Sequence, residues 1–176
     1  METALLAGGC FWCLEAIFSS INGVRQVESG YCGGQTANPD YEAVSHGDTG
    51  HAETVRIAFD SAVVSYATLL DVFFSIHDPT TLNRQGHDIG TQYRSAIFTM
   101  DDRQHAIATE TVNALIKARR FDRPIVTEIT PAGTFYSAEN YHQRYYWQNR
   151  QVPYCQVVIA PKIAAFRRQH PSLFDD

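Results

Sequence analysis

Residues 53–59, Glu-Thr-Val-Arg-Ile-Ala-Phe, alternate with period two, which is the mark of a half-buried strand. Strands of a doubly wound parallel sheet are covered on both faces and read as continuous apolar runs, so this segment favours a sheet with one packed face. Further strands are expected at residues 2–7, 24–31, 95–99 and 125–129. Helical spacing interrupts them. Phe11, Leu14, Phe18 and Ile21 recur on one face until Asn22-Gly23, and Ser65 can cap a helix over 66–76 carrying Leu69, Leu70, Phe73 and Phe74. Helices are also expected over 102–120, 137–150 and 162–169, while 155–159 is ambiguous. The pattern predicts an α+β two-layer sandwich, ferredoxin-like, whose mixed or antiparallel sheet carries helices on one face. A doubly wound parallel sheet is the weaker alternative. No repeat or linker divides the 176 residues, so residues 1–176 are read as one catalytic domain.

A formal charge of -5 gives no electrostatic reason to expect nucleic acid. The basic clusters at 117–120 and 167–168 fall late in predicted helices, where they complement the helix dipole. Residues 1–3 lack a basic leader and no run is long enough to span a bilayer, so a cytoplasmic location without membrane contact is expected; separately, the chain is read as a monomer. In that compartment Cys10, Cys13, Cys32 and Cys155 should be reduced thiols, used for catalysis or metal binding more often than for bridging.

The segment Gly8-Gly9-Cys10-Phe11-Trp12-Cys13-Leu14-Glu15 puts a thiol at a helix start. There the unpaired N–H groups and the positive end of the dipole favour thiolate, so Cys10 is read as a nucleophile. Phe11 and Trp12 beside it offer an apolar wall. Residues 38–44, 47–53, 85–95 and 135–143 combine bends with acids and phenols, and residues 77–92 form a long irregular stretch of the kind that usually carries function. Cys10-x-x-Cys13 also permits a general thiol–disulfide oxidoreductase, or half of a structural zinc site completed by Cys32 and a histidine, although no second ligand pair follows. His51 and His142 are read as hydrogen-bonded structural residues, while Cys32 is assigned no role, space filling being one option.

Gly-Cys-Phe-Trp at 9–12, Gly-His-Ala-Glu at 50–53 and Gly-Thr-Gln-Tyr-Arg-Ser at 90–95 resemble the signatures of A-type peptide methionine sulfoxide reductases. The resemblance extends to Tyr-His-Gln at 141–143 and Tyr-Cys at 154–155. It implies that Cys10 attacks the sulfoxide sulfur of methionine-S-sulfoxide in oxidised proteins or peptides, becoming a sulfenic acid as methionine leaves. It implies further that Tyr41 and Tyr93 bind the sulfoxide oxygen, that Asp88 organises the site, and that Phe11 and Trp12 hold the methyl group. Glu53 is the candidate acid, since a carboxyl in an apolar pocket keeps its proton near neutral pH. No bound cofactor or metal is implied. A second thiol would close a disulfide that thioredoxin, or dithiothreitol in vitro, reduces. Cys155 matches the usual recycling position, and Cys13 stands where glycine is commoner. Cys155 is favoured, because a helix constrains Cys13 whereas Cys155 can lie on a mobile segment.

Overall fold

The computed structural model describes residues 1–174. In chain order the elements are β1 (Glu2–Gly8), α1 (Phe11–Phe18), β2 (Val24–Cys32), α2 (Tyr41–Ser45), β3 (Ala52–Phe59), α3 (Tyr66–Ile76), β4 (Arg84–Gln85), β5 (Asp88–Ile89), β6 (Ser95–Thr99), α4 (Asp102–Lys117), β7 (Glu128–Pro131), β8 (Tyr136–Ser137), α5 (Tyr145–Gln148) and α6 (Ala160–Gln169). Six strands form one sheet in the order β7-β6-β1-β3-β2-β8, and β4 pairs with β5 in a separate hairpin. Every pairing is antiparallel except β6 with β7, so the sheet is mixed, as the alternating strand predicts. The four central strands with α1 and α3 form a β-α-β-β-α-β unit.

The period-two pattern sorts side chains between two covers. Ala4, Leu6, Val55, Ile57, Phe59 and Ile97 face a helical layer in which α1 contributes Leu14, Ile17 and Phe18 and α3 contributes Leu69, Leu70 and Phe73. Burial of each large apolar side chain is worth at most roughly 1.5–3 kcal/mol. The opposite face holds a smaller cluster of Leu5, Ala7, Cys32, Ala52, Ala96 and Phe98, packed against Ala132 and Phe135. Gly30 lies where the Phe135 ring and the Tyr136 carbonyl cross the strand, and a Cβ there would overlap both. Helix starts follow their caps: Ser65 Oγ accepts the Thr68 N–H at 3.0 Å, and Asp40 and Asp101 each accept an N–H at 2.8 Å.

The structure departs from the sequence reading in several places. Residues 137–150 are not one helix: β8, a 3₁₀ turn (Asn140–His142) and the single turn of α5 replace it, because the Gln143 side chain is tied to β2 and the Arg144 backbone N–H to Glu15 of α1. The irregular stretch 77–92 contains the β4–β5 hairpin, and α2 is a one-turn helix too short for periodicity to reveal. α1 ends at Phe18, α4 at Lys117, and β7 is displaced toward Pro131. Cys155, expected on a mobile segment, sits instead in regular helical structure. It is completely buried at the start of a π-helical stretch (Cys155–Ile159) that continues into α6, packed within the main core. None of the helices of the described residues is long and apolar enough to cross a membrane.

Candidate active site around Cys10 and Glu53

Gly9 adopts φ +95°, a conformation that L side chains rarely occupy, and a Cβ there would also strike Gln85. This turn ends β1 and delivers Cys10 to the N-cap of α1 without a side-chain cap. The helix start is satisfied from across the sheet: Glu53 Oε1, on β3, accepts the Phe11 N–H at 3.2 Å. The two residues are 42 positions apart.

Cys10, Phe11, Trp12, Tyr41, Glu53, Asp88 and Tyr93 line one cavity of about 120 Å³, together with Tyr154. All seven residues expected at the substrate therefore converge. The volume is well below that of a drug-sized ligand site and suits a small reacting head whose remainder stays outside. Glu53 is only 2 % exposed, and burial pushes its pKa up to about 8 against the opposing Phe11 N–H, with the charges of Asp88 and Cys13 adding to the rise. It is thus a protonated donor at neutral pH, as expected of a carboxyl in an apolar pocket. Burial, and then the charge of Glu53, also raise Tyr41 and Tyr93, so both phenols keep their protons.

The thiols reverse one expectation. Hydrogen bonding to Cys13 pushes the Cys10 thiol well up, and burial and neighbouring negative charges push the same way. The helix contributes only an opposing hydrogen bond from the Trp12 backbone, which does not prevail. That same Cys10–Cys13 bond lowers Cys13 to about 7 despite burial, helped by Lys162 and by the Tyr154 hydroxyl 4.0 Å from its sulfur. Cys13, rather than Cys10, is therefore the thiol of the pair that ionises more readily.

Three contacts were not assigned from the sequence. Trp12 Nε1 donates to His142 Nδ1 at 3.1 Å, while Tyr145 stacks on the indole at 3.7 Å and 9°. The indole is thereby clamped in place. Tyr154 lines the cavity beside both thiols. His142 and Tyr154 belong to motifs visible in the sequence, whereas nothing marked Tyr145. Glu139 holds the other wall, accepting the Tyr41 N–H at 3.0 Å and the Tyr31 hydroxyl at 2.9 Å. His51 accepts the Gly34 N–H and donates to the Thr36 carbonyl, a structural role as expected. Cys32 lies in the small cluster on the opposite face of the sheet, which removes it as a third ligand beside Cys10 and Cys13. Among the described residues no group of three or more His, Cys, Asp or Glu side chains is arranged to hold a metal.

Comparison with known proteins agrees with this geometry. The chain is 56% identical over 176 residues to the peptide methionine sulfoxide reductase MsrA of Chromobacterium violaceum, covering 100% of both. Its fold matches the reduced form of Mxr1 from Saccharomyces cerevisiae with a TM-score of 0.82 at 34% identity, over 88% of each chain. It matches Mxr1 in complex with Trx2 at 0.58 and 23% identity, over 82% of this chain and 84% of that one. The family model described as peptide methionine sulfoxide reductase matches residues 2–173. With the family model and a relative this similar both spanning nearly the whole chain, the chain belongs to the peptide methionine sulfoxide reductase family.

Proposed function

We propose that this chain reduces methionine-S-sulfoxide residues in oxidised proteins and peptides, with Cys10 as nucleophile and Glu53 as acid. The observation that carries this reading is the single small cavity joining Cys10 to Glu53, Tyr41 and Tyr93. Transfer of the Cys10 proton to the Cys13 thiolate sets the negative charge on Cys10. Its sulfur attacks the sulfoxide sulfur while Glu53 protonates the oxygen. The S–O bond breaks, leaving Cys10 as sulfenic acid, Glu53 as carboxylate and methionine as product. Tyr41 and Tyr93 orient the oxygen, Asp88 organises their side of the pocket, and Phe11 and Trp12 receive the methyl group, where aromatic–sulfur attraction adds roughly 0.3–1.5 kcal/mol.

For the next step the geometry supports Cys13 over Cys155. Cys13 lies on the first turn of the helix that Cys10 caps, and both thiols line one cavity, whereas Cys155 is completely buried in the core. Attack of Cys13 on the sulfenic acid forms the Cys10–Cys13 disulfide and releases water. Thioredoxin is the reductant in this reading, supported by the solved complex of yeast Mxr1 with Trx2, and dithiothreitol replaces it in vitro. Residues 1–176 act as one catalytic domain, and a cytoplasmic monomer suits four unbridged thiols. The test is loss of the S epimer of a methyl sulfoxide with dithiothreitol, followed by disulfide mapping after one equivalent. Stereospecific loss, abolished in Cys10→Ser, supports the reading. An untouched S epimer overturns it.

A further inference from the structure

Cys10 borders two cavities rather than one. The second, about 260 Å³, opens beside the substrate pocket and is lined by Cys13, Gln85, His87, Val158 and Lys162 among others. Cys10, Asp88 and Tyr154 form the wall common to both. Cys13 does not line the substrate pocket, and Glu53, Tyr41 and Tyr93 do not line the second cavity. Cys13 therefore has an outlet separate from the substrate pocket, whereas Cys10 borders both cavities. Lys162 lies in the first turn of α6, is exposed, and makes no ion pair among the described residues. Its charge favours thiolate on Cys13.

We propose that this second cavity admits the external thiol that reopens the Cys10–Cys13 disulfide, and that the Lys162 ammonium stabilises the negative charge carried by sulfur there. The inference rests on Cys13 being the residue that closes the disulfide. In the step, a reductant thiolate attacks Cys13 Sγ. The S–S bond to Cys10 breaks, and Cys10 leaves with the electron pair and takes a proton. A second thiol of the reductant then attacks the mixed disulfide, Cys13 leaves as thiolate facing Lys162, and the reductant departs as its own disulfide. Two reductant thiols are oxidised for one protein disulfide reduced. The volume accommodates a small thiol or the tip of a cysteine side chain presented by a protein dithiol, and no larger body.

Separate outlets mean that methionine and the reductant need not exchange places in one pocket. The test measures the second-order rate of opening of the preformed disulfide directly, with dithiothreitol and with thioredoxin in parallel. Lys162→Met should slow both by about five- to tenfold, and Lys162→Glu by more, because the attacking thiolate carries its negative charge into the cavity that Lys162 lines. Lys162→Arg should restore the rate to within about threefold, since its charge is kept. Val158→Trp, which fills the cavity, should slow both reductants by about tenfold or more. Equal rates in wild type, Lys162→Met and Val158→Trp overturn the proposal. Slowing confined to thioredoxin also overturns it, because the substituted residues then act on protein docking rather than on the route to sulfur. Mapping of the disulfide to Cys155 instead of Cys13 is a separate result: it overturns the assignment on which the proposal rests, while activity on the S epimer stays intact.

Discussion

Glu53 and Glu15 are equally hidden, each 2 % exposed, yet they serve opposite ends. Glu53 receives one long hydrogen bond, 3.2 Å from the Phe11 N–H, and faces a cavity. Glu15 accepts the Ser29 hydroxyl at 2.9 Å and the Arg144 N–H at 2.6 Å, the latter from a residue held at φ +53° at the start of α5. Burial raises both carboxyls, but for Glu15 the Ser29 and Arg144 bonds pull the other way. Donors, rather than depth, decide which carboxyl is free to deliver a proton and which is an anchor. Through Arg144 and its neighbours, Glu15 fastens the segment that brings His142 and Tyr145 against Trp12.

The contrast breaks most sharply at Glu53. Glu53→Gln should slow the single-turnover formation of methionine by roughly 10²–10⁴-fold, because an amide supplies no acidic proton. Rapid-quench measurement of the first turnover checks this, and an unchanged rate removes Glu53 from its role. Glu15→Ala should act on stability instead: the buried Ser29 hydroxyl and the part-buried Arg144 N–H lose their acceptor, for a loss of roughly 1–3 kcal/mol in denaturant unfolding. The first turnover of the folded fraction should then exceed that of Glu53→Gln. A Glu15→Ala protein as stable as wild type would remove the anchor.

The pH dependence sharpens the same distinction. Glu53 holds its proton up to about pH 8, so the first-turnover rate should fall above that value, and this limb should be missing in Glu53→Gln. In the unfolded chain its pKa is near 4.3. Between these values the folded state binds more protons than the unfolded one, so the stability contributed by Glu53 is complete at low pH and is lost as pH rises through about 8. The loss amounts at most to about 1.4 kcal/mol per pH unit, and Glu53→Gln should flatten the stability profile across this window. Smallest in effect, Tyr93→Phe should slow the first turnover by about tenfold, the size of one lost hydrogen bond, while leaving both carboxyl phenotypes unchanged.

Regular elements were legible because their causes are local. Ser65 and the spacing of Leu69, Leu70 and Phe73 place α3 over Tyr66–Ile76, and β6 occupies Ser95–Thr99 as read. Residues 137–150 were not legible, since no internal pattern shapes them. The Gln143 amide bridges both Ser29 backbone groups, 114 positions away, and Arg144 is tied to Glu15 across 129. The same limit applies at the site. The motifs mark Cys10, Phe11, Trp12, Tyr41, Glu53, Asp88 and Tyr93 as chemistry-bearing residues, but not the stacking of Tyr145 or the enclosure of Cys155.

Residue types and periodicity alone therefore determine that this chain builds a mixed sheet under helices and carries a thiol, an acid and phenols in recognisable motifs. Which carboxyl keeps its proton, which thiol of the pair ionises more readily, and how deeply Cys155 is enclosed were decided only by the tertiary structure. The reason is physical: a protonation state is set by desolvation and by the donors within reach, and here those arrive from β3, β5, α6 and the 139–154 segment, far from Cys10 along the chain.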